Sequence, residues 1–122
     1  MEPANISEPA VLLWVNRRYR PGMAGADLYD VTRGVWAATG ARRSRAEFAF
    51  AICRGTIVGV YQIEQWHPAG TTPYASGRKI DFAQHANDWE FTGSPAPPEI
   101  TAKYIGRQVP RSGGNPVRYI NA

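Results

Sequence analysis

The residues able to do chemistry in this chain are few and scattered. There are two histidines, His67 and His85, and one cysteine, Cys53. The histidines lie far apart and not at the spacing that puts two imidazoles on one helical turn. A zinc site would therefore have to recruit a carboxylate ligand. A lone cysteine makes neither an internal disulfide nor a thiolate cluster. Between apolar neighbours, Cys53 reads as a buried small residue rather than a nucleophile. Gly-x-Ser-x-Gly, phosphate-loop and dinucleotide fingerprints are missing. Glu64, Asp81, Asp88 and Glu90 are carboxylates from which an acid–base pair can be drawn, but their spacing imposes none. Gly113-Gly114, inside a basic stretch, is too short a signal for a phosphate cradle. No catalytic residue, metal or cofactor is expected.

Aromatic and basic residues carry more information. Four Trp and six Tyr occur in 122 residues, several beside polar or basic groups. Tyr29, Arg33 and Trp36 stand at i, i+4 and i+7 and share a helical face. Trp66-His67-Pro68 enters an unpatterned segment, and Trp89-Glu90-Phe91 leaves it. Aromatic walls with polar groups at their rim suit a stacked, extruded base. The alternative is that the tryptophans fill the core.

The charge is uneven. Fourteen Lys and Arg face ten Asp and Glu, a net of +4. Residues 14–54 hold eight arginines and three acids, residues 55–102 two basic residues and five acids, and residues 103–122 four basic residues and no acid. Two positive segments flank an acidic middle, and bringing them together would make a one-sided surface attractive to phosphates. Arginine outnumbers lysine twelve to two, a bias that a GC-rich genome also produces.

These residues must be positioned by a small scaffold. A chain of this length is one domain with room for its own core: a loose lead-in over 1–9 and a single domain over 10–122. No apolar run is long enough to span a bilayer. The first residues lack the basic and apolar blocks of a secretory signal, so a cytoplasmic location is expected. Ala10–Val15 reads as a strand. Pro21-Gly22 marks a turn. Apolar residues at Leu28, Val31, Thr32 and Val35 predict a helix from Asp27, which Gly34 weakens and breaks before Gly40. Residues 41–45 read as a basic connection. The clearest signal is Glu47–Cys53, where Phe48, Phe50 and Ile52 alternate with smaller residues. An Arg54-Gly55 turn leads to a partner strand over Thr56 to about Trp66. Residues 67–86 read as a long loop, Trp89–Thr92 as a short strand, and Ser94–Pro98 as a proline-rich turn. A short helix begins at Pro97 or Pro98 and ends near Gly106. Val117–Ile120 is a last strand.

The wording of the chain adds a resemblance. Leu28-Tyr29, Thr32-Arg33-Gly34-x-Trp36, the paired Arg42-Arg43, then Ala49, Gly55, Val60-Tyr61-x-Ile63 and Trp66 form its first part. Trp89-Glu90-Phe91-Thr92-Gly93, Tyr104-Ile105-Gly106 and Asn115-Pro116-Val117-x-Tyr119 form its second. Together they resemble small bacterial PUA-like domains, found alone or attached to GIY-YIG-type nucleases and helicases. The resemblance implies an α+β fold: a PUA-like curved mixed β-sheet or pseudo-barrel with two or three short peripheral helices. Related SRA and EVE domains bind modified bases, and some ASCH domains are suspected enzymes. Neither the ASCH catalytic pattern nor an SRA base-reading loop maps onto this chain.

The expected function is a nucleic-acid-binding module, for a modified or flipped base, with no catalysis of its own. Its expected base site is Arg33, Trp36, Trp66, Trp89, Glu90 and Asn115, and its phosphate contacts are Arg42, Arg43, Arg107 and Arg111. The partner is DNA or RNA, modified or not, with a homodimer as a further partner state and no membrane. Two alternatives stand beside it. One is a small hydrolase or nucleotide-processing enzyme using acids of the 81–90 region, and the other is a protein-interaction adaptor.

Overall fold

Five consecutive buried residues, Ala10–Trp14, form strand β1. A strand without polar alternation must be covered on both faces, and β1 is an interior strand of the sheet. It pairs in parallel with β2 (Phe48–Cys53) and antiparallel with β5 (Val117–Ile120). The hairpin partner of β2 is the long β3 (Thr56–Pro68), which pairs in turn with β4 (Trp89–Pro95). The order across this mixed, open five-stranded sheet is β4-β3-β2-β1-β5. Three helices accompany it: α1 (Gly25–Arg33), α2 (Gly40–Arg45) and α3 (Pro98–Tyr104). This computed structural model describes residues 3–38, 40–75, 77, 79–80, 83–110 and 114–122.

The hairpin follows from its residues. Arg54 and Gly55 have φ of 51° and 82°, the paired positive values that match the twist of two-residue hairpin turns. Phe50 and Ile52 are fully buried and Phe48 is partly buried. With Leu12, Trp14, Val60 and Tyr104 they build the core on one sheet face, each fully buried side chain contributing ~1.5–3 kcal/mol. The opposite face of β2 carries Ala49, Ala51 and Cys53, and those small residues leave room for Tyr61 and the aromatic cluster beneath α1.

Two irregularities bend the sheet. The β2–β3 register shifts at Ala51/Ile52 and the β3–β4 register at Ile63/Gln65, and such bulges increase local bend and twist. Phe91 of β4 and Val117 of β5 belong to one hydrophobic cluster that runs across this face through Tyr61, Ala49, Val11 and Leu13 of the strands between them.

The expected strands at Ala10, Glu47, Thr56, Trp89 and Val117 are all present, with bounds shifted by a few residues. Strand β4 runs on to Pro95 instead of turning at Ser94, because Ser94 and Pro95 still pair with Gln62 and Tyr61. Pro95 is tolerated there since β4 is an edge strand. Helix α1 stops at Arg33, and Trp36 lies in extended backbone. The expected basic connection is instead the short α2: residues 41–45 contain no Gly or Pro, and Ala and Arg favour helix. No described helix is long and apolar enough to cross a membrane.

Candidate nucleic-acid interface

A cavity of about 640 Å³ opens between α2, the start of β2, the far half of β3 and the start of β4. Trp66 and Trp89 both line it, with Arg43, Glu47, Gln62, Glu64 and Gln65. The β3–β4 pairing produces this meeting. Trp66 stands opposite Phe91, and Pro68 opposite Trp89, so both indoles leave the same face of the ladder two residues apart. Trp66 packs edge-on against Phe91 with centroids 5.4 Å apart. Its indole Nε1 is buried with no hydrogen-bond partner among the described residues. Trp89 is only partly buried, and the Arg43 guanidinium lies 3.5 Å from its ring centroid. Arg43 also donates to the Ala38 carbonyl at 3.1 Å, which anchors the cation over the indole. The charged side chains of the lining are one arginine and two glutamates. That balance disfavours a phosphate and suits a neutral ring that presents N–H donors to carboxylate and amide oxygens.

Trp36 stands next door. Its backbone N–H donates to Trp89 O at 2.9 Å, and Trp89 N–H donates back to Trp36 O at 2.8 Å. Its indole Nε1 donates to Thr32 O at 2.7 Å, fixing the ring on the last turn of α1. Trp36 does not line the first cavity. It lines a second one, of about 480 Å³, with Trp14, Asn16, Arg17, Arg18, Val31 and His85.

Arg33 and Glu90 face neither cavity, which corrects their expected place as base contacts. They are 2% and 0% exposed and belong to a buried polar network that clamps residues 69–74 onto α1 and β4. One Glu90 oxygen accepts from Gly70 N–H and from the Tyr74 hydroxyl, both at 2.8 Å. The other accepts from Thr72 N–H at 2.8 Å and from the Thr72 hydroxyl. Burial pushes the Glu90 carboxyl up, but hydrogen bonds from Thr72, Gly70 and Tyr74 outweigh it and hold it below its ordinary value. Arg33 donates to Thr72 Oγ1 at 2.8 Å, to Phe91 O at 3.2 Å and to Pro73 O, with Asp30 at 3.7 Å. Its guanidinium stacks 3.9 Å from the Tyr74 ring centroid. Gly34 sits against the same network. A Cβ there would lie 2.1 Å from the Tyr74 hydroxyl and 2.9 Å from Glu90 Cβ.

The remaining expected residues are dispersed. Asn115 is exposed and accepts from Val117 N–H at 3.0 Å, a turn ahead of β5. Arg42 donates to Ala122 O at 3.1 Å and Tyr119 O at 3.3 Å, holding the last strand. Arg107 serves the backbone link between α3 and β3, where its carbonyl accepts from Ile57 N–H at 2.9 Å. Arg111, and Asp81 among the acids, lie outside the described residues. Among the described residues no group of three or more His, Cys, Asp or Glu side chains comes together. Sequence reasoning passed over Gln62, Gln65, Thr72 and Tyr74, whose partners are set by β3–β4 register and loop closure. It also passed over the Arg17-Arg18-x-Arg20 run, which was visible as a dense basic triplet before Pro21-Gly22.

The fold and site together describe a small α+β domain with an aromatic cavity beside an open five-stranded sheet. No protein-family model, curated protein or solved structure matches the chain.

Proposed function

We propose that this chain is a nucleic-acid-binding module that holds one base in the cavity between Trp66 and Trp89, without catalysis of its own. The observation that carries the reading is the convergence of two indoles, an arginine stacked on one of them and two glutamines in a single cavity. Stacking on an aromatic side chain contributes ~1–3 kcal/mol per base and tolerates any base. Hydrogen bonds to Gln62, Gln65 and the nearby carboxylates add selectivity for an edge rich in N–H donors. The mixed five-stranded sheet with its short helices supports a PUA-like class for the domain.

Binding to panels of modified and unmodified DNA and RNA oligonucleotides, at two salt concentrations, tests it. Trp89→Ala should weaken the best ligand about tenfold or more with an unchanged circular dichroism spectrum. A folded Trp89→Ala that binds every oligonucleotide as the parent does would refute the site.

A second reading, a small hydrolase acting on nucleotides, is favoured by one observation. His85 Nδ1 lies 2.7 Å from Asp88 Oδ2, and His85 lines the second cavity with Arg17 and Arg18. An imidazole oriented by a carboxylate beside cationic groups is an arrangement suited to general-base chemistry. Phosphodiester turnover that disappears in Asp88→Asn would favour it over pure binding. Glu90 is excluded from that role because both of its oxygens are engaged inside the fold.

A further inference from the structure

Two of the arginines expected to hold phosphates are engaged within the fold: Arg42 donates to Tyr119 O and Ala122 O, and Arg43 is bonded to Ala38 O and stacked on Trp89. Arg33, expected at the base, is buried in its network. Arg17, Arg18 and Arg20, in the loop between β1 and α1, are exposed. Among the described residues their side chains make no hydrogen bond or ion pair. Arg17 and Arg18 line the second cavity. Together with Arg20, Met23, Asp27 and Val31 they also line a third, of about 490 Å³. The two cavities share Arg17, Arg18 and Val31 and so adjoin one another as a two-part groove on either side of these residues. Asp27 is the single carboxylate among the described residues that line it.

Two further contacts shape this groove. Asn16 Oδ1 accepts from Arg54 N–H at 2.8 Å, tying the loop to the β2–β3 turn and bringing a fourth exposed arginine beside it. His85, its Nδ1 engaged by Asp88 Oδ2, lines the groove together with Trp36. The groove therefore combines unpaired guanidinium groups with an indole and an imidazole, the pairing of cationic track and stacking platform that single-stranded nucleic acid requires.

Its relation to the base cavity is set by the backbone. Trp36 lines the groove and Trp89 lines the base cavity, and the two residues exchange both backbone hydrogen bonds. Their Cα atoms are then about 5.5 Å apart, with side chains on the same face. This bridge is the link through which the groove adjoins the base cavity. Resting on the base-binding reading, we infer that Arg17, Arg18 and Arg20 hold the backbone phosphates of a bound single strand, while Arg42 and Arg43 serve structure.

Salt titration of oligonucleotide binding separates these roles. The triple variant Arg17→Gln, Arg18→Gln, Arg20→Gln should bind single strands about tenfold or more weakly at low salt. Its log K against log[salt] slope should fall by about 2, from ~0.7 per lost phosphate contact. Trp89→Ala should weaken binding with the slope unchanged. A triple variant with the parental slope overturns the inference even if Trp89→Ala has confirmed the base site. Pyrophosphate titration followed by NMR makes a second measurement that does not depend on any base. It should shift the amide signals of residues 16–20 in the parent and not in the triple variant. Those shifts would sustain the anion groove even if no oligonucleotide bound and the base site fell, and their absence would overturn it.

Discussion

Replacing Glu90 with glutamine probes the buried network at its centre while conserving volume. The carboxylate accepts four hydrogen bonds, two of them from the backbone N–H groups of Gly70 and Thr72. Each oxygen serves one of those backbone donors. A glutamine has only one oxygen, so its NH2 must face the other N–H. The Thr72 and Tyr74 hydroxyls can rotate to accept from the new NH2, but a backbone N–H cannot. At least one partly buried donor is orphaned, at a cost of ~1–3 kcal/mol. Arg33 keeps Asp30, 3.7 Å from its Nε, as its counter-ion, so the expected loss stays at ~1–3 kcal/mol. With unfolding entropy of roughly 2.1 cal/mol/K per residue over 122 residues, that lowers Tm by about 4–12 °C. Thermal melts followed by circular dichroism measure it. The pH dependence provides a second check. The folded carboxyl titrates below its ordinary value of 4.5, so its contribution is complete above that value and fades as pH falls through the folded pKa. The gap between parent and variant should be widest near neutrality and narrow in acid. A Tm change below about 4 °C at pH 7, or a gap that widens in acid, would show that the network does not hold the loop as argued.

Gly34→Ala should lower stability by ~1–3 kcal/mol, the usual cost of overpacking, because its Cβ meets the Tyr74 hydroxyl and Glu90 at 2.1 and 2.9 Å. A urea midpoint equal to the parent's would contradict that packing. Phe50→Ala, which empties a fully buried position in contact with Tyr104, should cost ~3–5 kcal/mol. Equilibrium denaturation would reveal a smaller loss if that side of the sheet were loosely packed. Burial, with Tyr29 adding to it, pushes the Tyr61 hydroxyl up to about 12 from 10.0. Its neutral form therefore supports the fold fully below pH 10.0, and that support is lost as pH rises toward about 12. Tyr61→Phe should flatten the stability profile over this alkaline window, and an unchanged profile would assign the alkaline loss to other groups.

Local chemistry was sufficient to write much of the scaffold from the chain itself. The alternation of Phe48, Phe50 and Ile52, the Arg54-Gly55 turn, the unbroken apolar run of β1 and the Pro-led start of α3 are short-range signals with direct physical causes. The meeting of Trp66 and Trp89 was also partly legible, since both border one segment whose ends a compact domain brings close. Side-chain roles were another matter. Arg33 and Glu90 look like surface binding groups in one dimension, but β4 register and closure of residues 69–74 bury them as partners through Thr72. Whether an arginine is committed or available depends on carbonyls and rings contributed by distant segments. Thus Arg42 is captured by Tyr119 and Ala122 and Arg43 by Trp89, while Arg17, Arg18 and Arg20 meet no such partner among the described residues. The chain determined how many cations and indoles the domain carries. Only the tertiary structure decided which were consumed in building it and which remain to meet a ligand, because hydrogen bonding and burial are settled between segments that sequence order keeps apart.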